Sequence, residues 1–263
     1  MATIVTFHAH PDDESIATGG TMARAAVAGH RVVLVLATRG ECGEPVEGVL
    51  AEGELLGDRR AAEARTAADL LGVHRVEFLG YSDSGMMGTP TNDDPKCFWR
   101  ADLDEAAARL ARILTEVEAD VLTIYDPHGG YGHPDHIQVH RVGTLAAELA
   151  GTDRVFWSTM NRDRIRRQLL DNPEFTEAVD EDRRERVEVD EFGMPEADIT
   201  HAIDVRAVLG KKRDAIRAHA SQISADMFFL SMPDDVFAEA FGTEWFIAAG
   251  QRRTGDFATD LFA

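Results

Sequence analysis

Short apolar runs alternate with helical segments along the first 150 residues, and this alternation limits the chain to few folds. The apolar runs lie at 3–8, 31–38, 76–79 and 121–125, and helical periodicity lies at about 15–28, 58–71 and 102–117. Strands separated by helices form βαβ units, and strands that are apolar on both faces are typical of a parallel sheet. The sequence therefore predicts an α/β fold with a Rossmann-like, mostly parallel sheet and flanking helices.

Two turns rich in histidine and aspartate follow two of these strands. His10-Pro11-Asp12-Asp13-Glu14 comes after the first run, and His133-Pro134-Asp135-His136 follows the fourth through a Gly-rich loop. One such turn alone is often only a proline-fixed loop whose carboxylate caps the next helix. Two at equivalent places indicate a crevice at the carboxyl ends of neighbouring strands, where open α/β sheets bind ligands. Imidazole nitrogens and a carboxylate oxygen suit a divalent transition metal.

Composition excludes several classes of function. The chain has 263 residues, enough for one large domain, and a net charge of −20, which repels nucleic acid and anionic membrane surfaces. No G-x-G-x-x-G motif stands between the first strand and its helix, and the carboxylates there would repel a pyrophosphate. We therefore expect neither a nucleic acid partner nor a dinucleotide cofactor.

The N-terminus has no secretory signal pattern, and no apolar stretch approaches the ~20 residues of a membrane span. Cys42 and Cys97 are isolated thiols, which suit a reducing compartment. We expect a cytoplasmic protein without a membrane partner that acts on a small molecule; a homo-oligomer is left open.

Two long loops, 39–57 and 80–100, follow strands and should emerge at the same rim as the histidine turns. From about residue 153 the chain is less regular, and the stretch 180–191 is dense in charge. We expect a catalytic core at 1–152 and a smaller C-terminal part at 153–263 that completes the sheet and the crevice of a single domain.

Three stretches together resemble a known family. They are His-Ala-His-Pro-Asp-Asp-Glu at 8–14, the block 125–136 that ends in the second histidine turn, and Ala-His-Ala-Ser-Gln at 218–222. They are similar to the LmbE-like, or PIG-L, metal-dependent N-deacetylases, most of all to the actinobacterial branch that deacetylates N-acetylglucosaminyl-inositol or cleaves mycothiol conjugates. The similarity covers nearly the whole chain. Spacing alone predicts only a metal crevice in an α/β domain.

The resemblance implies a role for each matching position. The zinc ligands would be His10, Asp13 and His136. Asp12 would be the general base, and His133 would be the imidazole that stabilises the oxyanion. Asp135 would be the carboxylate that holds and charges this imidazole, and Tyr131 would assist at the substrate carbonyl. Positions that grip the sugar and its polyol partner would be Glu44, Arg60 and Asp83. The resemblance thus predicts removal of an N-acetyl or related acyl group from an amino sugar such as an N-acetylglucosaminyl glycoside.

Several alternatives remain open at this point. Among hydrolases, a mycothiol S-conjugate amidase would use the same centre, and Fe(II) could replace zinc because both metals accept these ligands. Two histidines and one carboxylate also describe non-haem iron oxygenases, although these are usually built on a jelly roll. A non-catalytic sugar-binding module would need neither Asp12 nor His133. His140 and His219 could each contribute to the site or serve only the fold.

Overall fold

Seven strands form one sheet in the order β3-β2-β1-β4-β5-β7-β6. The computed structural model describes residues 1–171, 191–224 and 227–263, so nearly all of the charge-dense stretch 180–191 lies outside the described residues. The strands are β1 Thr3–His8, β2 Arg31–Leu36, β3 Arg75–Phe78, β4 Val121–Tyr125, β5 Arg154–Thr159, β6 His201–Asp204 and β7 Thr243–Ala248.

The first five strands are parallel neighbours, whereas β7 runs antiparallel to both β5 and β6. The predicted Rossmann-like, mostly parallel sheet is therefore confirmed. β1 lies between β2 and β4, so the chain winds outward in both directions from β1 and β4. This topological switch point is where open α/β sheets leave a crevice for a ligand.

Helices cover both faces of the sheet. They are α1 Asp13–Ala17, α2 Gly19–Val27, α3 Leu56–Leu71, α4 Leu103–Glu116, α5 Gly129–Gly132, α6 Pro134–Ala150, α7 Arg162–Asp171, α8 Leu209–Ala218, α9 Phe228–Ser231 and α10 Asp234–Phe241. Within the described ranges, no helix combines the length and hydropathy needed to cross a membrane.

The core consists of two main apolar layers, one on each face. Val5 and Phe7 of β1 pack with α4 and α6, whereas Ile4 faces the layer formed with α2, α3 and α8. This alternation follows from the two-residue period of a strand. Burial on both faces explains why these strands read as continuous apolar runs.

The helix expected at 15–28 is two helices, because the chain breaks at Thr18. The Thr18 hydroxyl contacts His8 Nε2 at 2.8 Å, and Glu244 of β7 accepts the backbone N–H groups of Gly20 and Thr21 at 2.8 and 2.7 Å. The carboxylate of a distant strand therefore caps α2 at its N-terminus. The sequence around residue 18 does not reveal a partner 224 residues away from Gly20.

Candidate metal centre and active site

The two histidine turns meet at the carboxyl ends of β1 and β4. His10 lies just after β1, His133 immediately precedes α6, and His136 lies in the first turn of α6. The ring centroid of His10 is 4.7 Å from that of His133 and 5.5 Å from that of His136. All three side chains are buried. Two segments that are far apart in sequence thus form one cluster of imidazoles at the switch point.

Two of the predicted metal ligands, both imidazoles, converge on a carboxylate oxygen of the third. Asp13 Oδ2 lies 3.3 Å from His10 Nδ1 and 3.3 Å from His136 Nε2. The opposite ring nitrogens have acceptor partners: His136 Nδ1 lies 3.2 Å from the Gly129 carbonyl, and His10 Nε2 lies 3.1 Å from Asp135 Oδ2. A carbonyl or carboxylate fixes the proton on the nitrogen that faces it, so the nitrogens beside Asp13 remain available as ligands.

The charges around His10 also fit a cation. Burial opposes a charged imidazole, but hydrogen bonds from His10 to Asp13, Asp135 and Asp83 raise its pKa well above the usual value. The surroundings therefore favour positive charge at this point, which a divalent ion would supply. Among the described residues, the donor atoms of His10, His133 and His136 lie within 4.8 Å of one another, as do those of His10, Asp83 and Asp135.

His133 is held as a neutral imidazole. Its Nδ1 accepts the backbone N–H of Asp135 at 3.1 Å, so the neutral ring carries its proton on Nε2 and can donate it. Burial, together with the neighbouring His10 and His136, lowers the pKa of His133 to about 2. The expectation of a positively charged His133 is corrected accordingly: it can act as a hydrogen-bond donor without being an imidazolium.

Asp135 contacts different partners from those expected. Its carboxylate accepts the backbone N–H of Ser84 at 2.9 Å and the Ser84 hydroxyl, and it faces His10 rather than the His133 ring. His133 is the residue before α6 and Asp135 lies in its first turn, and it is the backbone N–H of Asp135 that contacts the His133 ring. The structure thus makes Asp135 the carboxylate that orients a predicted metal ligand.

Asp12 lies beside this centre in an uncommon backbone conformation, with φ of 97°. Burial raises the pKa of Asp12 to about 6, while Arg60, whose Nη2 is 3.4 Å from Asp12 Oδ2, opposes this rise. Asp12, Asp13, Tyr131 and His136 line a common cavity of about 600 Å³. A carboxylate of this pKa in a cavity suits proton transfer near neutral pH.

The remaining predicted site residues are Tyr131, Asp83, Arg60 and Glu44, and they have different surroundings. The Tyr131 hydroxyl is 3.5 Å from His136 Nε2. Asp83 Oδ1 is 3.4 Å from His10 Nε2, and its carboxylate accepts the backbone N–H groups of Cys42 and Gly85. Arg60 is buried and donates to the carbonyls of Pro11 and Gly40. Glu44 lies exposed in the loop before α3.

Comparisons with known proteins agree on one family. The family profile described as "PIG-L: GlcNAc-PI de-N-acetylase" matches residues 5–147. The chain belongs to the PIG-L family. A 1D-myo-inositol 2-acetamido-2-deoxy-alpha-D-glucopyranoside deacetylase of Acidothermus cellulolyticus is 43% identical, over 94% of this chain and 88% of that relative. The enzyme of the same name from Geodermatophilus obscurus is 39% identical, over 99% of this chain and 97% of that relative.

A solved structure carries the same fold. The N,N'-diacetylchitobiose deacetylase from Pyrococcus horikoshii superposes on this PIG-L protein with a TM-score of 0.59 and 22% identity. The superposition covers 94% of this chain and 83% of the other. At that identity the likeness shows the fold alone, so the family assignment depends on the family profile and the sequence relatives.

Tyr125 and His8 support the imidazole cluster of this PIG-L protein, and the sequence reasoning missed the first of them. The Tyr125 ring stacks on His136 with centroids 4.4 Å apart, and its hydroxyl contacts His8 Nδ1 at 2.8 Å. Burial lowers the pKa of His8 to about 4, so this histidine is a neutral support. Period-two alternation continued past the end of β1 predicts that His8 and His10 point to the same side, opposite to Phe7, so a supporting role for His8 was open from the sequence, whereas the stacking of Tyr125 on His136 was not predicted.

The two histidines left open by the sequence analysis take different places. His140 Nδ1 contacts the Tyr125 carbonyl at 3.0 Å, and its ring packs edge-on against Trp157, outside the imidazole cluster. His219 is buried, with Nε2 2.7 Å from Glu14 Oε1. The geometry gives His140 a structural environment and connects His219 to the turn that contains Asp12 and Asp13.

Proposed function

We propose that this PIG-L protein is a divalent-metal-dependent N-deacetylase that removes the acetyl group from the glucosamine of an N-acetylglucosaminyl-inositol. The observation that carries the proposal is the convergence of His10 Nδ1 and His136 Nε2 on Asp13 Oδ2, with Asp12 directly beside them. The sugar is proposed because two relatives, 43% and 39% identical over nearly the whole chain, are named for that reaction.

His10, Asp13 and His136 would hold the metal, for which zinc is the best fit to two imidazoles and one carboxylate. When bound, the ion supplies polarisation of the acetyl carbonyl and a lowered pKa for water. Asp12 takes the proton of the attacking water and returns it to the departing amine. The Nε2–H of His133 donates a hydrogen bond to the developing oxyanion, and the Tyr131 hydroxyl assists at the carbonyl.

The sugar would lie beside the predicted metal ligands, on the side of Asp83. Asp83, next to His10, and Glu44, on the exposed loop, offer acceptors for sugar and inositol hydroxyls. Arg60 was expected to share this role, but two of its nitrogen donors already contact the Gly40 and Pro11 carbonyls. Asp83 is likewise engaged, with the backbone N–H groups of Cys42 and Gly85, so all three positions stay proposed sugar contacts.

A second candidate activity is cleavage of a larger acyl amide, as in a mycothiol S-conjugate. The observation that favours it is the apolar wall of the cavity, which extends past the catalytic residues to Met160, Ile165 and Phe241. The non-haem oxygenase alternative is disfavoured because the sheet is open and mostly parallel rather than a jelly roll.

The test is a metal-loaded assay of released amine with N-acetylglucosaminyl-inositol, free N-acetylglucosamine and a cysteinyl glucosaminide. We expect the inositol glycoside to react best, chelation to abolish turnover, and added Zn, Co or Fe(II) to restore it. Aerobic turnover with an oxo-acid should be nil. Full activity in protein shown to be metal-free would overturn the proposal.

Two adjacent carboxylates provide a matched pair of variants. Asp12→Asn should keep one metal per chain while kcat falls by about 10²–10⁴, because it removes a general base. Asp13→Asn should instead lower metal stoichiometry, because it removes a ligand. The reverse result would mean that the two roles are exchanged.

A further inference from the structure

The backbone of Asp12 is held in a conformation that an L residue rarely adopts. Its φ is 97° and its ψ is −37°, and among the described residues the only other non-glycine residue with positive φ is Glu118. Such a conformation persists only where surrounding contacts enforce it, and it is concentrated at functional sites. The groups that hold Asp12 therefore bear directly on where its carboxylate points.

Contacts on both sides of the residue enforce this conformation. Glu14 Oε2 accepts the backbone N–H of Asp12 at 2.9 Å. The carbonyl of Asp12 accepts the N–H groups of Ser15 and Ile16 at 3.0 and 3.1 Å, which begins α1. The carbonyl contacts would form at the start of any helix, whereas the contact to the N–H requires the side chain of Glu14.

Glu14 is itself fixed by a distant part of the chain. Its side chain is fully buried, and Oε1 accepts from the Ser15 hydroxyl at 2.8 Å and contacts His219 Nε2 at 2.7 Å. A buried carboxylate must have hydrogen-bond donors, and His219, which follows α8, supplies one from 205 residues away. The orientation of Glu14 therefore depends on the C-terminal half of the protein.

We propose that Glu14, held by His219, is a positioning residue for the general base. By binding the backbone N–H of Asp12, it maintains the positive φ that turns this carboxylate away from the metal-ligating side of Asp13 and toward the cavity. Glu14 does not touch the substrate in this arrangement and acts only through Asp12. The inference rests on the proposed role of Asp12 as the base.

The test is a double-mutant cycle of Glu14→Ala and Asp12→Asn, measured as kcat, KM and metal content. With Asp12 present, Glu14→Ala should lower kcat by about 10- to 100-fold, because small misplacements of a catalytic group are costly. KM and metal content should stay unchanged. In the Asp12→Asn background the same change should alter kcat by less than about threefold, because the group on which it acts is gone.

Two further variants test whether the effect comes from the contact between Glu14 and the Asp12 N–H. Glu14→Gln should recover most of the activity, because its amide oxygen can still accept the Asp12 N–H. Glu63→Ala is the matched control: Glu63 is also buried and binds the N–H and hydroxyl of Ser221 at 3.0 and 2.6 Å, beside His219, without a contact to Asp12. Its effect on kcat should be the same in both backgrounds.

An undiminished effect of Glu14→Ala in the Asp12→Asn background would overturn the inference, and so would loss of the metal in Glu14→Ala. Should Glu14→Ala fail to fold, His219→Ala enters the same cycle with the same expectation. If Asp12→Asn itself retained full activity, the proposed function would fail at its general base, which is a separate and distinguishable result.

Discussion

Replacing Arg60 by methionine should change the pH dependence of the reaction. Arg60 is buried, and its Nη2 lies 3.4 Å from Asp12 Oδ2. Burial raises the pKa of Asp12 to about 6, and the positive charge of Arg60 restrains this rise. Without the guanidinium the pKa of Asp12 increases further, so the base remains protonated up to a higher pH. The acid limb of the pH–rate profile should therefore move upward.

The size of this effect follows from the ion pair. A neighbouring arginine lowers the pKa of an aspartate by about 1–3 pH units, so the pKa of Asp12 should rise from about 6 to about 7–9. At pH 7 the ionised fraction of Asp12 then falls from about nine-tenths to between about one half and one hundredth. The rate at that pH should fall by about 2- to 90-fold.

The assay is the pH dependence of kcat/KM for the wild type, Arg60→Met and the control Arg59→Met. Arg59 lies on the same helix but pairs with Glu54, so its removal should leave the limb in place. The reasoning is refuted if Arg60→Met leaves the acid limb unmoved. A raised KM with an unchanged limb would instead support the sugar-binding role implied by the family resemblance.

Three further outcomes are expected. Glu244→Ala should lower the unfolding free energy in urea by about 3–5 kcal/mol, because it leaves the buried ammonium of Lys212 and two N–H groups of α2 unpaired. Lys212→Met should lower it by only about 1–3 kcal/mol, because Glu244 keeps its backbone donors. Equal losses would contradict this asymmetry. Gly143→Ala should lose about 1–3 kcal/mol in the same assay, because the new Cβ would lie 2.4 Å from Ile124 Cγ2; unchanged stability would show that α6 can shift. His133→Ala should lower kcat by about 10²–10³ with KM and metal content unchanged, and loss of the metal would make His133 a ligand.

The sequence did not reveal β5, β6 or β7, but it was sufficient for the parallel strands β1 to β4 and for the meeting of the two histidine turns. Both depend on local signals: apolar runs predict buried parallel strands, and neighbouring strands of such a sheet bring the turns at their carboxyl ends together. The resemblance then supplied the roles of individual positions, which spacing could not.

Partners across the fold could not be predicted in this way. The carboxylate of Asp135 contacts Ser84 and His10 rather than His133, because side-chain direction in the first helical turn decides which group it reaches. The break at Thr18 likewise depends on Glu244, far away in sequence. Such contacts arise from tertiary packing, and no periodicity in the sequence encodes them.

The link between Glu14 and His219 has a consequence for the newly synthesised chain. All three predicted metal ligands have left the ribosome once residue 136 is exposed, yet His219 emerges more than eighty residues later. An unfinished or truncated chain can therefore carry every ligand without the contact that aligns Asp12. Full hydrolytic competence should therefore arise only after residue 219 has emerged and joined Glu14, later than the residues that would hold the metal.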